Sequence, residues 1–138
     1  MEMKSNMIMP IAMGVSSYYI ASNIMLTRKN GVYNHVNKLY MALLMVDIMF
    51  LIDGVMKKNV VSIGLSLTAG AILTSLIREQ SFVSDKQFAK GMIEHHDMAL
   101  LMAKKIKEKT KNEEVIKLAD NILKTQQSEI DLMKSWLK

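Results

Sequence analysis

Three long apolar runs constrain the fold of this 138-residue chain more than any other feature. They cover Met7–Leu26, Leu39–Val55 and Val60–Ile77, and the first contains no charged residue. A helix needs about 20 apolar residues to cross the hydrocarbon core of a bilayer. Pro10 falls in the first turn of the first run, where its missing N–H is tolerated. The pattern predicts three transmembrane helices within a membrane domain of residues 1–80.

Two acids, Asp47 and Asp53, interrupt the second apolar run. Asp47 would lie near mid-membrane depth, where a charged side chain costs roughly 2.5–3.5 kcal/mol, so we expect it to face other helices or a wet cavity. Four methionines share one helical stripe that points away from this acid: Met41, Met45, Met49 and Met56. The stripe fits either a path for metal ions or ordinary helix packing, and packing is the simpler interpretation.

The C-terminal part of the chain has the pattern of a helical hairpin. Ser84, with Gln87 three positions later, forms a capping-box signature that predicts a helix running to about Lys109. After a short turn, a last helix is predicted from about Glu113 to Leu137. With one proline and few aromatic residues, the chain favours helices over strands. We therefore predict an all-α protein, with three transmembrane helices followed by a two-helix hairpin.

The first helix of the hairpin carries two adjacent histidines. Read at 100° per residue, one stripe roughly 120° wide contains Phe88, Met92, His95, His96, Ala99, Met102, Ala103 and Ile106. Met98 lies beside this stripe, whereas Glu94 and Asp97 fall on the opposite face, where we expect solvent. Both histidines are therefore expected to be buried.

Histidine and methionine are the metal-binding residue types that this stripe combines. The chain has no cysteine, which excludes disulfides and thiolate metal sites. Imidazole binds copper, zinc, iron and nickel, and thioether sulfur adds a preference for soft ions such as Cu(I). The stripe thus indicates a soft-metal site. The alternative is structural, with methionines that fill the core and histidines that are satisfied within a helix pair.

The last helix places two polar residues, Gln126 and Glu129, in an otherwise apolar stripe. Burying an unpaired carboxylate is strongly unfavourable, so we expect these side chains to have partners. Two helices joined by a tight turn pack antiparallel, which brings Gln126, Glu129 and Met133 toward the histidine pair His95 and His96. The partner of Glu129 is then either part of a metal site or a histidine that locks the helices together.

These residues resemble a known family. The run from Met92 to Ala103, with the later Gln126, Glu129 and Met133, looks like the domain of unknown function 305, whose best-known members are CopM-like periplasmic copper-binding proteins. The apolar runs are similar to those of members with three transmembrane helices before this domain. The resemblance implies a ferritin-like domain that binds copper or silver in residues 84–138. It implies as ligands His95, His96, Met98 and Met102, with Met92 and Met133 as supporting sulfurs.

The chain departs from this family pattern at Glu94. Many members have proline directly before the two histidines, whereas the acid here lets the helix continue without interruption. It also adds a negative charge beside the site. Glu129, which the hairpin brings toward the histidines, completes the set of candidate metal ligands.

We therefore expect a membrane-anchored, non-catalytic protein that binds copper or another soft metal ion for buffering, resistance or transfer. The alternative is a helical oligomerisation or scaffold module with structural histidines. A ferritin-like di-metal oxidase is disfavoured because it needs Glu-x-x-His pairs. Here Glu94 is followed three residues later by Asp97, and Glu129 by Leu132.

Expected partners follow from size and charge. A two-helix hairpin is too small to bury both of its apolar stripes, so we expect a dimer that completes a four-helix bundle. Membrane lipid and a metal-donor or acceptor protein are further expected partners. The net charge of +5 is spread along the chain and does not indicate nucleic acid. Positive charges flank the apolar runs almost evenly and slightly favour a cytoplasmic hairpin. The resemblance implies instead that the hairpin lies outside the cytoplasm, and we expect this orientation.

Overall fold

The structure, a computed structural model, describes residues 2–27 and 32–138, with side chains from Met7 onward. Met1 and residues 28–31, which fall in the predicted membrane domain, lie outside the described residues. The described helices are α1 (Glu2–Tyr19), a 3-10 turn (Ala21–Asn23), α2 (Val36–Met56), α3 (Val60–Arg78), α4 (Asp85–Lys107) and α5 (Glu113–Trp136). No strand occurs in these ranges, so the all-α prediction is confirmed.

The helices divide into two compact units. The first contains α1, α2 and α3. The second contains α4 and α5 together with residues 24–27 and 32–35, which we call the linker segment. The predicted membrane domain of residues 1–80 includes the linker segment. In the structure this segment belongs to the second unit, where it is hydrogen bonded to α4.

The first helix ends earlier than the first apolar run predicts. α1 ends at Tyr19 rather than near Leu26. The side chains of Ser22 and Asn23 donate hydrogen bonds of 2.5 and 2.9 Å to backbone carbonyl oxygens four residues earlier. These bonds satisfy acceptors that are orphaned where the helix stops. Pro10 lies in the buried interior of α1 and not in its first turn, because the helix already begins at Glu2.

Two helices, α2 and α3, are long and apolar enough to cross a membrane. Both are mostly exposed within the structure, as helices that contact lipid would be. By the same criteria of length and apolar composition, α1 is not a candidate membrane span. Of the three predicted spans, the structure thus provides two candidates among the described residues.

Close contacts join α2 to both of its neighbours in the first unit. A Cβ placed at Gly14 of α1 would collide with Cγ2 of Val46, so glycine is required for this approach. On the other side, Asp47 is hydrogen bonded to Ser66 of α3. A Cβ placed at Gly70 would lie 2.9 Å from Oδ2 of Asp47. The acid therefore faces a neighbouring helix, as its insertion cost led us to expect.

The methionine stripe of α2 faces outward. Met41, Met45 and Met56 are exposed, and Met49 is half-buried. An outward stripe does not enclose a path for an ion within the unit. Methionines that face outward do not pack against the other helices of the unit either, so both interpretations of the stripe stay predictions.

The hairpin of α4 and α5 has the predicted cap at Ser84 and a small core at one end. The Ser84 hydroxyl accepts a hydrogen bond from the Gln87 N–H, and Asn112 caps α5 in the same way. The buried core cluster consists of Ala89, Ile93, Ile130 and Met133. Tyr33, Met92, Leu100 and Leu137 pack against this cluster. The linker segment, which includes Tyr33, therefore completes the core that the two helices share.

Candidate functional site

His96 lies in the interior of the hairpin and contacts the last helix. Its Nε2 is 2.6 Å from Oε2 of Glu129, and the imidazole is buried while the Glu129 side chain is exposed. An ionised carboxylate only accepts hydrogen bonds, so Nε2 carries a proton and donates it. The other ring nitrogen, Nδ1, is buried without a hydrogen-bond partner among the described residues. In the neutral ring Nδ1 then holds a lone pair, which is the form of imidazole that binds a metal ion.

Two methionines lie one helical turn from this pair. Met92 precedes His96 by four residues, and Met133 follows Glu129 by four. In an antiparallel hairpin both therefore lie on the same side of the pair. Met133 is buried in the core cluster, and Met92 packs against it. The hairpin thus brings His96, Glu129, Met92 and Met133 together in the way that chain reversal predicts.

Gln126 contributes a second buried polar atom without a partner. It lies on α5, three residues before Glu129, and its Oε1 has no hydrogen-bond partner within residues 7–27 and 32–138. Buried acceptors of this kind are uncommon in native proteins. The two orphaned atoms, His96 Nδ1 and Gln126 Oε1, belong to neighbouring helices of one hairpin.

The remaining predicted ligands lie elsewhere on α4. His95 is exposed, and its ring centre is 6.1 Å from that of His96, with 63° between the ring planes. Met102 is also exposed, and Met98 is half-buried. The prediction that both histidines share a buried stripe is wrong. Consecutive residues of a helix point about 100° apart, and α5 buries only the His96 side.

The face of α4 that was expected to meet solvent is instead buried. Glu94 and Asp97 are only 4% and 2% exposed. The Asp97 carboxylate accepts two hydrogen bonds of 2.5 Å from Thr27, one from the backbone N–H and one from the hydroxyl. The expectation of solvated acids was wrong because the contact joins residues 70 positions apart. Local periodicity carries no signal for such a contact.

Glu94 binds the other part of the linker segment. Its Oε1 accepts a hydrogen bond of 2.6 Å from the Tyr33 N–H, and its Oε2 lies 3.1 Å from Nε2 of His35. Gly91 leaves room for the ring, since a Cβ there would lie 3.3 Å from Nδ1 of His35. The third histidine of the chain therefore belongs to the same unit as the adjacent pair. Periodicity does not predict this placement, and the acid at position 94 was the available signal.

No group of three or more His, Asp or Glu side chains is arranged to hold a metal ion within residues 2–27 and 32–138. The hairpin instead offers one unpaired imidazole nitrogen with two thioether side chains one turn away. Donors of this type suit soft ions such as Cu(I).

Comparison with known proteins places the chain in a family. The family described as domain of unknown function (DUF305) matches residues 66–138, which begin within α3 and include the whole hairpin. A protein of Acanthamoeba polyphaga mimivirus, described as uncharacterized protein L153, is 35% identical over 136 residues, which cover 95% of this chain and 90% of that protein. No solved structure matches the chain. The chain therefore belongs to the family of the domain of unknown function 305.

Proposed function

We propose that this protein is a membrane-anchored binding protein for a soft metal ion, Cu(I) or Ag(I), and that it buffers or transfers the ion without catalysing a reaction. The observation that carries the proposal is the buried Nδ1 of His96, which has no partner among the described residues while Nε2 bonds Glu129. A carboxylate that holds the far nitrogen of a histidine fixes its tautomer and orientation and raises its basicity as a ligand.

The donor set around His96 supports a soft ion. Met92 and Met133 supply thioether sulfur from one turn away, and sulfur of this type favours Cu(I) over hard cations. His95, Met98 and Met102 lie farther out on α4. They supply the donors through which an ion enters or leaves. Such an arrangement suits storage and hand-over of an ion rather than redox turnover.

The chain topology supports a membrane anchor. The linker segment bonds to α4 although α2 and α3 lie between them in the sequence. Two crossings return a chain to the same side of a membrane, so this arrangement is compatible with both helices as spans. In the proposal α1 is a third span, and the Lys57–Lys58 turn faces the cytoplasm. The ferritin-like hairpin then lies outside, where cysteine thiols would oxidise and thioethers remain useful ligands.

Anaerobic titration of the full chain in detergent micelles tests this proposal. Cu(I) or Ag(I) competes with a chromogenic chelator. We expect His96→Gln to lose tight binding and Met133→Leu to weaken it by about tenfold or more. Met56→Leu, at an exposed methionine of α2, is the matched control and should bind like the native chain. A folded native chain that does not bind either ion overturns the proposal.

A second candidate function is a helical oligomerisation or scaffold module. The contact of His96 with Glu129 favours it as well, because a hydrogen bond between α4 and α5 locks the hairpin without any metal. This function predicts that Ag(I) leaves thermal unfolding unchanged. The metal-binding function predicts stabilisation by about 2.7 kcal/mol when free Ag(I) is 100 times its Kd. Thermal unfolding with and without the ion therefore distinguishes the two functions.

A further inference from the structure

The hairpin has a second apolar face, much of which neither its own core nor the linker segment covers. On α4 this face follows a spacing of alternating four and three residues, through Phe88, Met92, His95, Ala99, Met102 and Ile106. On α5 the same spacing connects Val115, Leu118, Ile122, Thr125, Glu129, Leu132 and Trp136. We call these two stripes together the open face. Such a heptad spacing is the pattern of helices that pack against further helices.

The exposure of the open face is large for apolar side chains. Met102 and Leu118 are each 59% exposed, and Leu132 and Trp136 are each 54% exposed. Phe88 is 49% exposed. Ile93, on the face of α4 that packs against α5, is buried instead. The open face is therefore a surface with the composition of a core.

The two stripes meet near the turn of the hairpin. There they line a shared groove, which contains Ala99, Met102, Ile106, Val115, Leu118 and Ile122. Ala99 is the smallest residue of the α4 stripe and lies near its middle. A small central residue permits another helix to approach closely.

We propose that a second copy of this chain covers the open face and completes a four-helix bundle. The stripe from Phe88 to Ile106 is about 27 Å long at 1.5 Å per residue, and two adjacent helices are about 20 Å wide. The face therefore offers about 540 Å² per copy. Specific and stable interfaces bury about 600–1,000 Å² per partner. The area thus lies close to the lower end of what a stable dimer needs.

Charge at the rims of the open face fits a parallel two-fold arrangement. Lys109 lines the rim on the α4 side. Glu114 is exposed at the same end of the hairpin, on the α5 side. A two-fold axis along the bundle places α4 of one copy beside α5 of the other. It therefore brings each Lys109 toward the Glu114 of the second copy.

This dimer arrangement would bring His95 into the candidate metal site. Each layer of the open face meets the same layer of the second copy, so His95 and Glu129 of both copies approach one another near the bundle axis. An ion bound there would be shared between two chains. This consequence rests on the proposed metal function, whereas the dimer itself does not.

The test is the mass of the full chain in detergent micelles, with one charge introduced into the open face. We expect the native chain to be a dimer and Leu118→Glu to lose at least about tenfold in dimer affinity, because its carboxylate would be buried without a partner. Lys117→Glu introduces the same charge at the neighbouring exposed position and should remain a dimer. Circular dichroism checks the helix content, and Met102→Lys repeats the test on α4 should Leu118→Glu unfold.

The native absence of cysteine allows a second measurement of the same dimer. A nitroxide label on Lys124→Cys, outside the open face, should show dipolar coupling between copies that Leu118→Glu abolishes. A monomeric native chain overturns the proposal, as does a dimer that Leu118→Glu leaves intact. A monomer whose open face becomes protected from hydrogen exchange only when lipid vesicles are added would assign the face to lipid. Metal titration of the same variants is read separately, so failure of the dimer does not imply failure of the metal site.

Discussion

His96 and Glu129 lie 33 positions apart in the chain, yet Nε2 of the imidazole is 2.6 Å from a carboxylate oxygen. The contact places a proton on Nε2 and leaves the buried Nδ1 as an acceptor without a donor among the described residues. A purely structural histidine would gain from a partner at both nitrogens. The half-satisfied ring is therefore the feature on which the metal hypothesis depends.

Glu129→Gln separates charge from hydrogen bonding at this pair. The amide oxygen still accepts from Nε2, so the tautomer and the fold should persist, but the ring loses its negatively charged partner. We expect Ag(I) affinity to fall by about tenfold in chelator competition. Glu113→Gln, at an exposed position of α5, is the control. Equal affinity in both variants would contradict the role of the carboxylate.

Asp97→Asn tests the attachment of the linker segment. Both carboxylate oxygens accept hydrogen bonds from Thr27, and an amide can offer an acceptor to only one of these donors. We expect a loss of about 1–3 kcal/mol in the free energy of unfolding, the cost of a buried unsatisfied donor. Hydrogen exchange at the Thr27 amide should also become faster. Asp131→Asn, at an exposed aspartate, should change neither quantity.

Gly14→Val tests the contact between α1 and α2. The added side chain would collide with Val46, so we expect a loss of about 1–3 kcal/mol from overpacking. Thermal unfolding of the full chain in micelles measures it. Gly64→Val makes the same exchange in α3, where a Cβ would meet no atom within 4 Å. Similar losses in both variants would show that helix propensity, and not the α1–α2 contact, sets the effect.

Glu108 provides a prediction about pH. The Lys105 ammonium, hydrogen bonded to Glu108 at 2.8 Å, lowers the pKa of that carboxyl below its ordinary value. Folding therefore favours the ionised form, and the resulting stability is present above the unfolded-state pKa and is lost as pH falls through the folded-state pKa. Its size is small because the pair is exposed. Lys105→Met should move the Glu108 midpoint upward in a carbon-13 NMR titration, whereas Lys124→Met should not.

The hairpin could be predicted from the sequence because its signals are local. Ser84 and Gln87 mark the start of α4, and the short turn fixes which residues of α5 lie beside α4. That register suffices to place Glu129 beside the histidine pair. The choice of His96 rather than His95 depends on the angle at which the helices face each other, which periodicity gives only to within one residue.

The linker contacts could not be predicted in this way. Glu94 and Asp97 bind groups 59 to 70 positions earlier in the chain, and two apolar helices separate them. An acid opposite an apolar stripe indicates solvent unless its partner is known. The early end of α1 could not be predicted either, because the composition of the apolar run does not change at Tyr19.

The linker segment also imposes an order on assembly. Tyr33 is synthesised 61 residues before Glu94, which corresponds to roughly 3–12 s at about 5–20 residues per second. During this interval the linker N–H groups bond water, while α2 and α3 are made in full. The hairpin can form from neighbouring residues, but its two buried acids bond this earlier segment only when it returns to them. Protection of the Tyr33 amide would therefore report when the linker segment joins the hairpin.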